Sequence, residues 1–379
     1  MGSKNALIVC IGTVALVVLG LVMLASTSVW VESDDSKYGH LRGQAMWTMV
    51  GLVSACAVAF MDYRVLRKYA KHIYLFSAFL LILCYVPGIG KEINGESRWI
   101  TLPGIRQFQP SEFGKFGMII GLAAWLAHYQ AESRSFMKGF LLPGVILTVP
   151  VLLIFFEKDM GTAAGLGATG FAILFIYGSR IRFLVPTAII AVAAMYLVVK
   201  SNPNRWDRIM AYQDLEANKL GAGLQQYRSQ LAFGNGGVDG LGLGNGAEKH
   251  GYLPYAHTDF IFAMVGEELG LYFTLGTVFC FVLITLYGIG IAANAKDVFG
   301  RTLAIGVTCA IVIPAMMNIG VATSLLPNTG LPLPFVSYGG SNLVFTLAAI
   351  GLLVSIHRRA VFKEEKIESI VDRNRTIKI

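Results

Sequence analysis

The sequence predicts an all-α polytopic membrane protein of about ten transmembrane helices, with one long extracytoplasmic loop between the seventh and the eighth. Three observations carry that prediction. The mean hydropathy is +0.61 and only 14% of the residues are charged, whereas a soluble domain carries roughly a quarter. Apolar runs long enough to cross about 30 Å of hydrocarbon recur along the whole chain. Because open strands cannot leave backbone groups unpaired in lipid, these runs read as helices.

The runs fall at residues 6–29, 44–61, 72–86, 113–129, 139–156, 161–177, 183–199, 260–292, 303–325 and 342–355. The first is longer than a signal-peptide core of about 7 to 15 residues and no small-x-small cleavage site follows it, so it reads as an uncleaved span. Alternating the loops places Arg64, Arg67, Lys68 and Lys71 on one side, with Arg134, Lys138, Arg180, Arg182, Lys296, Arg301, Arg358 and Arg359. By the positive-inside rule that side is cytoplasmic, and both termini lie there. The net charge of +8 therefore describes orientation, and nucleic acid is not an expected partner. The chain reads as one integral membrane domain, 1–379, with its long extracytoplasmic loop at 200–259. The five cysteines all sit in apolar runs and lack the spacing of a zinc site or a disulfide framework. No metal site is expected from them.

The polar motifs all fall on the outer side. In YLPYAHTDFIF, residues 252–262, a His and an Asp stand where a polar segment ends and an apolar run begins. A carboxylate at such a junction is a functional-site candidate, which singles out Asp259. In the loop after the third run, Arg98 and Trp99 precede Gln109, Pro110, Ser111 and Glu112. Ser111 and Glu112 suit a helix start. Lys115 lies one turn further, inside the apolar run, where it must pair, snorkel or touch a ligand. Trp99 suits an interfacial anchor, and Arg98 beside it favours an anion. Arg42, Lys158 and Asp159 add charge on the same face; singly they read as loop charges of little energetic weight.

Two further segments resist a simple reading. The glycine stretch from Gly234 to Gly246 lacks the G-x-x-x-x-G-K-[ST] spacing of a phosphate loop, so a flexible or membrane-hugging loop is expected. Residues 327–341, PNTGLPLPFVSYGGS, cannot continue a helix and must form irregular backbone buried in protein or lining a cavity. Glu267 and Glu268 lie inside the eighth run, where at least one should point into the bundle.

With these motifs in place, the chain resembles the SEDS family of cell-wall proteins, which contains FtsW, RodA and SpoVE, and within it the FtsW branch. The resemblance rests on NGESRWI at Asn94, QPSEFGK at Gln109, EKDMGTA at Glu157, the GLQ…GNGG…GLG pattern from Gly223, AHTDFIFAMVGEELG at Ala256 and GLPLPFVSYGGS at Gly330. Tyr255 and Gly251 stand where that family can carry acids. The resemblance implies a peptidoglycan glycosyltransferase that polymerises lipid II at the outer face of the bacterial cytoplasmic membrane, for septal wall synthesis. It implies that Asp259 is the essential acid, accepting the proton of the attacking sugar hydroxyl. The leaving diphosphate would be held by Arg98 and Lys115, with Arg42. It also implies a substrate-binding set that adds Trp99, Glu112, Gln109, Ser111, Asp159, His257, Gln225 and Ser337. Mg2+ or Mn2+ could assist at the diphosphate, although no all-carboxylate cage is visible; no other cofactor is expected. The implied partners are lipid II, the growing lipid-linked glycan, a class B penicillin-binding protein acting as transpeptidase, and other divisome proteins. A lipid II flippase with a path through Glu267 or Glu268, an elongation-type polymerase and a division scaffold are the alternatives.

Overall fold

The computed structural model describes residues 4–31, 38–93, 96–102 and 105–376. It is a helical bundle: α1 (Asn5–Val31), α2 (Gly39–Phe60), α3 (Arg64–Leu83), α4 (Pro110–His128), α5 (Leu142–Phe156), α6 (Met160–Tyr177), α7 (Ile181–Ser201), α8 (Pro203–Gln213), α9 (Leu224–Gly236), α10 (Ile261–Asn294), α11 (Val298–Ala322) and α12 (Gly340–Thr376). Eight helices are long and apolar enough to cross a membrane: α1, α2, α5 with the turn before it, α6, α7, α10, α11 and α12. The chain is a multi-pass membrane protein. The remaining two of the ten expected runs form α3 and α4, which pack against one another. Four basic residues in the first two turns of α3, and the Glu112 and Lys115 charges in α4, dilute their hydropathy, so the count of ten is not established by length and composition.

The core is built on α11, which packs against α4, α6 and α10, while α10 packs on α1 and α2 on α12. Small residues let these axes approach. A β-carbon at Gly351 of α12 would stand 2.2 Å from the Ala55 carbonyl oxygen of α2. By contrast α7 is almost bare, with 6% of its spanning window buried against 61% for α11.

The loops assigned to each side by charge gather at opposite ends of the bundle. At one end Tyr63 and Arg64 meet Asp297, and Ser355 donates to the Met61 carbonyl. At the other, Ser26 meets Lys249, Arg98 meets the 157–159 turn, and Tyr212 reaches the Leu325 carbonyl.

One element is added to the expected architecture, and one expectation is corrected. The loop after α3 folds into a three-stranded antiparallel sheet, β1 (Gly90–Ile93), β2 (Glu96–Leu102) and β3 (Ile105–Phe108), in the order β1-β2-β3. Its strands are outside the apolar runs, so the prohibition on open edges in lipid does not reach them. The glycine stretch is not a loose loop. It clamps a break in α10 at Gly270, whose φ of 76° and ψ of −169° interrupt the helix. Carbonyls freed by the break are recaptured: Leu241 N–H donates to Glu267 O and Gly242 N–H to Glu268 O, each at 3.0 Å. Glycine is required because the loop backbone lies directly on the helix; a β-carbon at Gly240, which also sits at φ of 78°, would stand 2.3 Å from the Glu268 carbonyl oxygen.

Candidate active site

The backbone beneath Asp259 is fixed by the irregular 327–341 segment. Ser337 Oγ donates to the Thr258 carbonyl at 2.6 Å and accepts from Leu333 N–H at 2.8 Å. Tyr338 N–H donates to the His257 carbonyl at 3.0 Å. Gln44 of α2 braces the same turn, donating to Ser337 O and accepting from Gly339 N–H. Asn318 of α11 then ties the two segments, donating to the carbonyls of Asp259 at 2.7 Å and Leu331 at 2.6 Å. Asp259 is half-buried, with Oδ2 3.7 Å from where a β-carbon on Gly330 would stand. The His257 ring packs 4.9 Å from that of His40 and 6.3 Å from that of Tyr338.

Helix α4 supplies a second layer. Gln109 precedes its first turn, with Pro110 at the position where a missing N–H costs nothing. The spacing of three residues places Lys115 over Glu112, and their charges meet at 2.7 Å with 12% and 5% of the side chains exposed. Glu112 also accepts from Asn342 Nδ2 at 3.2 Å, and Gln109 N–H donates to Ser341 Oγ. Ser111 is fully buried. Lys115 therefore pairs, the first of the three outcomes its position allows.

The third layer is the turn between α5 and α6. Asp159 caps α6, accepting from Thr162 N–H at 3.0 Å and Thr162 Oγ at 2.9 Å, and lies 3.5 Å from Arg98 Nε. Lys115 and Thr162 line one cavity of about 10 Å³ together with Leu331, about the room of one water. Asn318 thus ties the Asp259 backbone to Leu331, Leu331 lines the same small cavity as Lys115 and Thr162, and Asp159, bonded to Thr162, meets Arg98.

Other expected residues lie apart or are used differently. Arg42 is exposed on the first turn of α2, and no described ion pair joins it to this set. Trp99 is half-buried on β2, opposite Lys91 in the strand register. Gln225 of α9 accepts from Asn328 Nδ2 at 2.5 Å, further along the 327–341 segment. The Ser337 hydroxyl is consumed in holding the turn together. As for a metal, no group of three or more His, Cys, Asp or Glu side chains converges among the described residues, and Glu112 and Asp159 are already engaged by cations. This donor set does not fit a resident divalent ion.

Sequence reasoning passed over Glu157, Asn318, Lys249 and Arg205. Glu157 is 1% exposed, and its carboxyl is pushed up to about 8, first by burial and then by the Asp159 charge, with Cys84 and Arg98 pulling the other way. The signal was present: an acid directly after Phe155 and Phe156 emerges from an apolar run. Asn318, the one amide in the outer half of α11, carried a similar signal. Lys249 and Arg205 sit in polar stretches and gave none.

The model for FtsW, RodA and SpoVE, described as "Cell cycle protein", matches residues 6–361. The chain belongs to the FtsW, RodA and SpoVE family. A protein of Geobacter sulfurreducens named "Probable peptidoglycan glycosyltransferase FtsW" is 39% identical over 359 residues, 94% of this chain and 96% of that one. Stage V sporulation protein E of Bacillus subtilis is 37% identical over 360 residues, covering 94% and 97%. Among solved structures, one described as "Structural coordination of polymerization and crosslinking by a peptidoglycan synthase complex" superposes with a TM-score of 0.76 at 27% identity, covering 93% of this chain and 97% of that one. The rod shape determining protein RodA of Thermus thermophilus superposes with a TM-score of 0.67 at 25% identity, covering 92% and 95%. The family expected from the motifs is the family found.

Proposed function

We propose that this family member is a peptidoglycan glycosyltransferase that polymerises lipid II at the outer face of the cytoplasmic membrane, in septal wall synthesis, with both termini inside. The observation that carries this reading is that Asn318 ties the Asp259 backbone to Leu331, which borders one small cavity with Lys115 and Thr162, next to the Asp159 cap that Arg98 meets. In the reaction the 4-hydroxyl oxygen of the acceptor GlcNAc attacks C1 of the donor MurNAc. Asp259 takes the hydroxyl proton as the new C–O bond forms. The bond from C1 to the phosphate oxygen breaks, and undecaprenyl diphosphate departs with the bonding electrons. Arg98 and Lys115 neutralise the charge that develops on it. A divalent cation, if used, would arrive on the diphosphate itself. A class B penicillin-binding protein would crosslink the glycan beside it, with other divisome proteins attached.

A translocation path gains no support from the intramembrane acids. Glu267 accepts from the N–H groups of Ala247 and Glu248, and Glu268 from Ser26, Lys249 and Gly244. Both are committed to holding the loop. The test is Asp259→Asn, purified and incubated with lipid II alone and with a penicillin-binding partner. Folded protein that makes no polymer on a gel is expected; polymer at the wild-type rate would remove the general base and with it this reading.

A further inference from the structure

The turn between α5 and α6 draws in a second arginine from a distant element. Lys158 occupies the left-handed region with φ of 67°, which turns its carbonyl to meet two guanidinium groups at once. Arg98 Nη2 of β2 and Arg205 Nη2 of α8 each donate to Lys158 O at 3.4 Å. Arg205 is held there locally: Pro203 opens α8, and the Asn202 side chain caps it by accepting from Arg205 N–H. Like charges brought this close repel unless something negative offsets them. Asp159 supplies one carboxylate, already shared with Thr162 and Arg98. Glu157 is beside it but deep, and neither of its buried oxygens meets an N–H or O–H donor among the described residues. Arg98 and Arg205 are both partly exposed, so an incoming anion can reach them.

We propose that Arg205 joins Arg98 as the second fork of a seat for the diphosphate of a lipid-linked substrate, and that Glu157 sets the charge of that seat. The proposal rests on the glycosyltransferase reading. Two planar guanidiniums on a rigid turn present paired N–H donors to paired phosphate oxygens, which a lone ammonium does not. With Glu157 neutral, no second carboxylate charge from this turn opposes an anion at the two arginines. With Glu157 ionised, a second negative charge stands beside Asp159 and opposes an incoming anion. The groups facing Glu157 are Asp159, Arg98, and Cys84 and Tyr85 at the end of α3. Burial and the neighbouring carboxylate hold Glu157 protonated at neutral pH, and the two groups on α3 ionise only at higher pH.

The experiment titrates undecaprenyl diphosphate into the full chain in nanodiscs of zwitterionic lipid, reading bound ligand by native mass spectrometry. Arg205→Ala is expected to weaken binding about tenfold, the loss of one charge-assisted contact. Arg205→Lys should restore only part, and Arg208→Ala, on an exposed position of the same helix, should bind as wild type. Between pH 7 and pH 9 wild-type affinity should fall relative to Glu157→Gln. Inorganic pyrophosphate should compete, because the recognised chemistry is the diphosphate. Wild-type affinity in Arg205→Ala would overturn the seat, and equal competition by phosphatidylglycerol would reassign it to bulk lipid headgroups. The Asp259→Asn protein should bind undecaprenyl diphosphate normally. If Asp259→Asn still polymerises lipid II, the catalytic reading fails while the binding data stand. If it is inactive and Arg205→Ala binds normally, the seat alone fails.

Discussion

Two clusters of opposite charges occupy the same end of the bundle, and they are built on different principles. In one, Lys249 and Glu268 meet at 2.6 Å with 1% and 0% of their side chains exposed. Ser26 of α1 donates to both Glu268 oxygens, and Gly244 N–H donates to one. Every bond serves to join α1, the glycine loop and the break in α10. In the other, Arg98, Asp159 and Arg205 gather on one turn at 3.4 to 3.5 Å, with 21% of the Arg98 side chain exposed. The first cluster is closed and buried; the second is partly exposed and its bonds are long. A buried pair is closed to a ligand, whereas guanidiniums that share one carbonyl at an accessible turn can be reached by one.

The largest predicted effect tests the closed cluster. Removing one partner of a buried pair strands the other charge and costs about 3–5 kcal/mol. Lys249→Met should therefore lower the thermal unfolding midpoint sharply in detergent and reduce the yield of folded protein. The double variant Lys249→Met, Glu268→Met should recover most of that loss, because a buried pair is replaceable by apolar side chains of similar volume. Arg98→Met should cost less stability than Lys249→Met, because Asp159 keeps its two hydrogen bonds from Thr162, while strongly reducing polymerisation. The contrast breaks if Lys249→Met unfolds at the wild-type temperature, or if Arg98→Met polymerises normally.

The two clusters also differ in how far the sequence disclosed them. Arg98, Glu112 and Asp159 stood in short polar segments beside apolar runs and Lys115 one turn inside one, so their position near the membrane edge was legible from hydropathy and loop alternation. So was the helical architecture, which follows from backbone satisfaction in lipid. The partner of Lys249 was not legible. Glu268 is 19 residues away, and nothing in the spacing of a glycine-rich stretch says that it folds back on a broken helix. The break has one local mark, Gly270, which hydropathy ignores because a single glycine in an apolar run does not end a span. Arg205 was missed for a similar reason: its meeting with Lys158 depends on how α8 returns over the bundle, a tertiary event with no local signature.

An intermediate effect separates the clusters by pH. Glu157 has a carboxyl raised from 4.5 to about 8. In the window between those values the folded state holds a proton that the unfolded state has released. Its contribution to stability is thus complete below about 4.5, declines as pH rises, and is gone above about 8. For a group so deeply buried the total is on the order of a few kcal/mol. Wild-type unfolding temperatures should fall between pH 6 and pH 9 more steeply than those of Glu157→Gln, whose side chain carries no charge to expel. Parallel curves for the two proteins would mean that Glu157 is ionised throughout, and it would then not set the charge of the open cluster.

The smallest effect concerns the backbone of the open cluster. A non-glycine residue in the left-handed region costs about 1–2 kcal/mol, which Lys158 bears at φ of 67°. Glycine removes that cost but adds roughly 0.5–1 kcal/mol of chain entropy lost on folding. Lys158→Gly should therefore change stability by about 1 kcal/mol or less, in the favourable direction. Its value lies in what it leaves in place. The carbonyl that receives Arg98 and Arg205 survives in Lys158→Gly, and the ammonium does not. If polymerisation by Lys158→Gly stays close to wild type while Arg205→Ala loses it, the turn acts by gathering guanidiniums on its carbonyl. If Lys158→Gly loses as much activity as Arg205→Ala, the exposed ammonium is itself a contact, and the open cluster is a three-cation site that owes less to the shape of its turn.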